Sequence, residues 1–217
     1  MYKTVVFDLD GTLLNTLTDL ADAGNRLCRK YGWPTHERQA YRYFVGNGIP
    51  KLVERLAPAD QRTPAVLEAA LADFKRDYGQ HLRDTTAPYP GIPEMLAKLK
   101  ANGVQLAVFS NKADALAKEV VKDYFGTQYF TIVRGQMTGV VPKPAAEGTN
   151  ALLQALHADP ASTLYVGDSN VDVETAHNAN LPCCGAVWGF RTREELNAAG
   201  AEYLAENSDE LYDVIMK

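Results

Sequence analysis

The sequence has no long apolar run, so no membrane-spanning helix is expected among its 217 residues. It has no excess of basic residues either: 22 Lys and Arg stand against 27 Asp and Glu, a formal net charge of −5. That balance speaks against general attraction to nucleic acid or to an anionic membrane surface. Cysteine is scarce. Cys28, Cys183 and Cys184 offer no disulfide framework and read as reduced small hydrophobes of a cytoplasmic protein. The N-terminus lacks the charged region, apolar stretch and small-residue cleavage site of a signal peptide. His36, His81, His157 and His177 show no metal-ligand spacing, which argues against a histidine-based metal centre. No internal repeat and no low-complexity tract interrupts the chain.

What remains is an ordinary globular composition, 46% hydrophobic and 23% charged, with enough chain for one large domain or two modest ones. The first fifteen residues organise the rest. Tyr2 to Phe7 is a β-branched and aromatic run that predicts a buried strand. It ends on Asp8, passes through Leu9 to Asp10, and is broken by Gly11. Residues two apart on a strand share a face, but the chain curls out at Gly11, so Asp8 and Asp10 need not stay on one wall. Two carboxylates just past a strand's C-terminal end lie where open α/β sheets place their chemistry. Such close anions repel, and a divalent cation or a shifted pKa would offset the repulsion.

From Thr16 to Thr85 the pattern is helical and contains no convincing strand. Thr16 and Asp19 are spaced as a capping box, and Leu17, Leu20, Ala21, Leu27 and Tyr31 follow helical spacing until Gly32 and Pro34. Ile49, Leu52, Val53 and Leu56 fit a second helix. Thr63 and Pro64 open a third, with a stripe from Leu67 to Leu82. After Gly91 helices and strands alternate. Helices are expected at Ile92–Asn102, Ala113–Tyr124, Pro144–His157, Val171–Asn178 and Asp209–Ile215. Strands are expected at Val104–Phe109, Tyr129–Arg134, Thr163–Val166 and Cys183–Val187, with a weak one at Tyr203–Leu204. This alternation implies a parallel sheet with right-handed crossovers. The expected organisation is an α/β core of residues 1–15 and 86–217, interrupted by a helical domain of residues 16–85.

Polar residues recur where the strands end. The first strand ends in Asp8 and Asp10, the second in Ser110-Asn111-Lys112. Lys143 lies past the third, and the fourth ends in G-D-S-N-V-D with Asp168 and Asp172. Each has an ordinary reading taken alone: Asp168 an N-cap, Asp172 a first-turn residue, Ser110 a loop hydroxyl, Lys143 a solvated surface lysine. Together they demand four accidents at four successive strand ends. In a parallel sheet those ends converge on one edge. The gathered groups are the parts of phosphoryl transfer: a nucleophile, a hard-cation site, and donors for phosphoryl oxygens.

D-x-D-G-T after a hydrophobic strand, with Ser110, Lys143 and the G-D-S-N-V-D stretch, resembles the haloacid-dehalogenase-like phosphohydrolases along essentially the whole chain. The resemblance implies a Rossmann-like α/β fold, a parallel sheet with helices on both faces and an inserted α-helical cap domain. It implies Asp8 as the nucleophile that forms an aspartyl-phosphate and Asp10 as general acid, then base. Ser110 and Lys143 would serve the transferring group, with Thr12 and Asn111 beside them at the phosphate. Asp8, the Asp10 backbone carbonyl and Asp168 would hold Mg²⁺, with Asp172 in support.

Asp10 argues against dehalogenases and phosphonatases of the family, which lack an aspartate there, and Thr12 leans toward hydrolysis over hexose-phosphate mutase activity. V-G-N-G-I, S-N-K and G-D-S-N-V-D-V-E-T-A-H-N-A resemble the phosphoglycolate phosphatases. Asn15 and K-P-A-A-E depart from that pattern beside the site, so pyrophosphatase and nucleotidase remain alternatives, as does a hexose-phosphate mutase, which keeps both aspartates; the intact Asp8, Asp10, Lys143 and Asp168 speak against a regulatory module without turnover. The implied partner is a small phosphorylated metabolite, and the implied state a monomer or homodimer. Gly46 and Gly48 before a helix are either turn punctuation or an anion-facing backbone. Trp188-Gly189-Phe190-Arg191 reads as edge packing or as part of the site's mouth.

Overall fold

A computed structural model describes all residues from Met1 to Lys217. The chain runs β1 (Thr4–Phe7), β2 (Leu14–Asn15), α1 (Leu17–Tyr31), α2 (Arg38–Phe44), α3 (Ile49–Leu56), α4 (Pro64–Gln80) and β3 (Ala87–Pro88). It continues α5 (Ile92–Ala101), β4 (Gln105–Ala113), α6 (Asp114–Phe125), β5 (Phe130–Gln136) and α7 (Ala146–Leu156). The remainder is β6 (Thr163–Gly167), α8 (Asn170–Asn178), β7 (Cys183–Ala186), α9 (Arg193–Ala199), β8 (Tyr203–Ala205) and α10 (Ser208–Met216). It divides into two compact units, Met1–Asn15 with Pro88–Lys217, and Thr16–Ala87.

The first unit is built on a six-stranded parallel sheet in the order β5-β4-β1-β6-β7-β8. Val5, Val6 and Phe7 of β1 are wholly buried, which is why the strand reads as a continuous apolar run rather than an alternation. Helix α7 contributes Leu152, Leu153 and Leu156, and α8 Val173 and Ala176, to a core shared with Val6, Phe109 and Tyr165. Strand order reverses between β1 and β6, because β1 leads away toward β4 and β6 leads the other way toward β7. Phe7, the last residue of β1, is level with Val108 on one side and Val166 on the other, and β4 runs on past it to Ala113. A crevice for ligands opens at such a switch point, beyond the carboxyl ends of the strands.

The second unit is helical. Tyr41, Leu52, Leu56, Phe74 and Tyr78 fill its interior, and Gly24 leaves α1 flat where the Tyr41 ring lies. The Gly46–Gly48 turn is laced from within: the Arg55 guanidinium donates to the Phe44 carbonyl and to Asn47 Oδ1, both at 2.8 Å.

Three expectations need correction. Thr16 is the N-cap residue of α1 but its side chain caps nothing, so the Thr16–Asp19 capping box does not form. Asp19 is instead buried and accepts from Thr85 N, Thr85 Oγ1, Thr86 N and Thr86 Oγ1 at 2.5–2.9 Å. Helices α2 and α9, seven residues each, were not anticipated, because so short a segment shows barely two turns of periodicity. Strand β4 also runs on through Ser110-Asn111-Lys112 to Ala113, past a register shift after Phe109.

Candidate active site

Asp8 leaves β1 at the crevice, its amide tied to the Val166 carbonyl of β6 at 2.8 Å. Lys143 reaches it from the segment before α7. The lysine is only 3% exposed and therefore no surface residue. Its Nζ lies 2.7 Å from Asp172 Oδ1, 3.0 Å from Asp8 Oδ1 and 3.2 Å from the Tyr165 hydroxyl. The contact to Asp8 is ionic and off the hydrogen-bonding direction, so Asp8 Oδ1 is buried without a directed donor. Asn111 fixes the lysine from behind: its side chain accepts from Lys143 N at 2.9 Å and donates to Lys143 O at 3.3 Å.

Asp168 and Asp172 come from the β6–α8 corner. The N-cap of α8 is Ser169, not Asp168, and Asp172 closes a capping box with it. One Asp172 oxygen accepts from Ser169 Oγ at 2.7 Å and from the amides of Ser169 and Asp168 at 3.1 and 3.2 Å. The other holds Lys143. The ordinary first-turn role is realised, and the cap bonds aim the second oxygen at the lysine.

Asp168 is 1% exposed and is gripped from two sides. Thr12 Oγ1 donates to its Oδ1 at 3.0 Å, and the Phe190 amide donates to its Oδ2 at 2.7 Å. Expected beside the phosphate, Thr12 therefore directs its hydroxyl to this carboxylate. Trp188 Nε1 donates to the Thr12 carbonyl at 3.0 Å, so the loop after β7 braces both Asp168 and the turn after Asp10. Both readings of Trp188–Arg191 have a counterpart: the Phe190 ring is buried and Trp188 packs on Tyr89, while the Phe190 amide and Trp188 Nε1 reach Asp168 and Thr12. Gly189 is required there, because a Cβ would overlap Asp168 and the Gly11 carbonyl.

Asp10 stands apart, paired with Lys112, whose Nζ lies 3.0 Å from Asp10 Oδ1 and 3.4 Å from Oδ2. Lys112 N donates to Ser110 Oγ at 3.2 Å, linking this pair to the serine at the end of β4. Neither Lys112 nor the Phe190 amide has a role in the site expected from sequence, though the S-N-K run and the Trp188–Arg191 stretch are noted there. The only sequence signal for Lys112 was its place in S-N-K, and for Phe190 its place after a strand.

Electrostatics follow from burying this many acids. Burial raises Asp8 to about 7, with Asp172 and Asp10 adding to the rise and Lys143 opposing it. Burial, then Asp172 and Asp8, push Asp168 well above the carboxylate range, against the Phe190 and Thr12 hydrogen bonds. Burial alone would discharge Lys143, but Asp172 and Asp8 outweigh it and hold the ammonium charged. Among Asp8, Asp10, Asp168, Asp172, Lys112 and Lys143, four acids face two ammonium groups. Fully ionised, the set would carry a surplus of two negative charges, which one divalent cation would balance. Oxygens of Asp8, Asp168 and Asp172 lie within 4.8 Å of one another, an all-oxygen donor set that suits a hard ion.

Fold and site together define a Rossmann-like α/β enzyme with an acidic centre at its topological switch point. Residues 5–186 match the family described as Haloacid dehalogenase-like hydrolase, and the chain belongs to that family. It is 31% identical over 216 residues to a phosphoglycolate phosphatase of Chromobacterium violaceum, covering 98% of this chain and 96% of the relative. It is also 31% identical over 191 residues to one from Thiobacillus denitrificans, covering 87% and 84%. A crystal structure from Lactobacillus delbrueckii subsp. bulgaricus, which carries the same name provisionally, superposes with a TM-score of 0.93 at 28% identity, covering 99% and 98%. No helix is long and apolar enough to cross a membrane.

Proposed function

We propose that this enzyme hydrolyses a small phosphomonoester through an aspartyl-phosphate on Asp8, with phosphoglycolate the leading substrate. The observation that carries the reading is the meeting of Asp8, Lys143 and Asp168 at the β1–β6 crevice. The named relatives support the substrate class. Asp8 and Asp168 would hold Mg²⁺, which would keep Asp8 ionised and neutralise phosphoryl charge when bound.

An Asp8 oxygen attacks phosphorus in line, forming a P–O bond as the ester P–O bond breaks. The departing oxygen takes the proton of Asp10. Lys143 and Ser110 balance charge on the equatorial oxygens. Water, losing its proton to Asp10, then attacks the phosphorus, and the Asp8–phosphorus bond breaks to give back the carboxylate. Ion pairing to Asp172 and the Asn111 clamp keep Lys143 aimed throughout. The Thr16–Ala87 unit is assigned the part of a substrate-selecting cap. It is also the segment in which the choice among phosphoglycolate, nucleotide and pyrophosphate substrates would reside.

Phosphate release from a panel of phosphorylated metabolites, with Mg²⁺ and with chelator, tests this. Expected are Mg²⁺-dependent release, greatest for phosphoglycolate, and a folded Asp8→Asn variant that retains under about 0.1% of turnover. Release that survives Asp8→Asn would overturn the nucleophile assignment. Isomerised sugar phosphate in place of free phosphate would overturn hydrolysis.

A further inference from the structure

Two ammonium groups serve the acidic centre, and they divide the acids between them. Lys143 holds Asp8 and Asp172. Lys112 holds Asp10, with its side chain 2% exposed and Asp10's 15%. Burying an ammonium so completely is unfavourable by several kcal/mol unless it is paired, and Lys112 is paired with the one carboxylate to which the mechanism gives the proton transfers. Its backbone is placed as carefully. Past the register shift in β4 after Phe109, Lys112 N donates to Ser110 Oγ at 3.2 Å and ties the lysine's backbone to the serine.

We infer that Lys112 is a positioning residue for Asp10, holding its carboxylate clear of the Asp8–Lys143–Asp172 cluster and facing the oxygen that leaves. The inference rests on the hydrolytic reading of Asp10. Without this partner the partly exposed Asp10 carboxylate is free to turn toward solvent. Proton delivery to the leaving oxygen is then lost, while attack by Asp8 is untouched. Lys112 therefore matters in proportion to how badly the leaving group needs a proton. An ion pair that merely stabilised the strand would slow all substrates alike.

The test compares kcat/KM, which reports the first phosphoryl transfer, across aryl phosphates of rising leaving-group pKa and an alkyl phosphate. Wild type, Lys112→Met, Asp10→Asn and the double variant are measured with saturating Mg²⁺. Lys112→Met is expected to lose roughly 100-fold on the alkyl phosphate, within the range for a general acid, and only a few-fold on the most acidic phenol. Added to Asp10→Asn, it should cost little more, because both act through one group. Lys112→Arg should restore part of the alkyl-phosphate rate. Should Lys112→Met fail to fold, Lys112→Gln is put through the same series. An equal loss on every substrate, no loss at all, or losses that multiply in the double variant would overturn the inference. If Asp10→Asn itself shows no leaving-group dependence, the acid role of Asp10 is what fails. If Asp10→Asn shows it and Lys112→Met does not, only the role of Lys112 falls.

Discussion

Asp172 illustrates how one side chain can satisfy an ordinary rule and a functional one together. As the N3 residue of α8 it completes a capping box with Ser169, and the same carboxylate meets Lys143 at 2.7 Å. Asp172→Asn keeps the shape and removes the charge facing the lysine. It should lower kcat/KM roughly 10- to 100-fold, the usual cost of losing an orienting partner. The loss should be uniform across leaving groups, because Lys143 serves the phosphoryl group rather than the departing oxygen. A steady-state series over the same aryl phosphates checks this, and a loss graded with leaving-group pKa would contradict it. Asp8, Asp10, Ser110, Lys143 and Asp168 were legible as candidates because each lies at or beyond the end of an apolar run that hydrophobicity reveals. Lys112 and the Phe190 amide were not. A lysine's partner depends on which strand lies beside its own, and a backbone N–H carries no mark in the sequence.

At the scale of elements, short pieces decide the geometry. The loop between β7 and α9 places Gly189 against Asp168 and sends the Phe190 amide into its carboxylate. Gly189→Ala should displace that loop and raise the Mg²⁺ concentration for half-maximal activity about 10- to 100-fold, measured by metal titration. An unchanged titration would mean the loop yields without moving Asp168. In the helical unit, Asp19 takes four hydrogen bonds from Thr85 and Thr86. Asp19→Ala leaves the two Thr86 donors buried without their acceptor and should destabilise the unit by about 2 kcal/mol, visible in urea melts. The periodicity that located α1 also suggested the capping box at Thr16. It misled because a residue 66 positions away competes for the same carboxylate. No local window contains that competitor.

The molecule as a whole concentrates acid at one edge of its sheet, and its stability should record that. With no cation bound, burial raises Asp8 to about 7 and Asp168 well above its ordinary value. Both groups then bind protons more tightly folded than unfolded, so stability is greatest below the unfolded carboxylate pKa and falls as pH rises through the folded values. Between pH 5 and pH 8 in chelator, the melting temperature should therefore drop, by roughly 5 °C or more for a chain of this size. Asp8→Asn, which cannot ionise, should make that slope shallower. Millimolar Mg²⁺ should stabilise more at pH 8 than at pH 5, because it binds the ionised carboxylates. Thermal melts at the two pH values with and without Mg²⁺ settle the sign, and a chelated protein more stable at pH 8 would refute it.

The order of the six sheet strands and of the longer helices, the helical insertion after β1 and the acids at strand ends were determined by the sequence alone, since hydrophobic periodicity and glycine breaks are local properties of the chain. The pairing of those groups was decided by the tertiary structure. Lys143 meets Asp8, Lys112 meets Asp10 and Thr12 meets Asp168 because β1 lies between β4 and β6, with Phe7 level with Val108 and Val166. Hydrogen bonds and ion pairs act over about 3 Å, and residues more than a hundred positions apart come that close only once the sheet has formed.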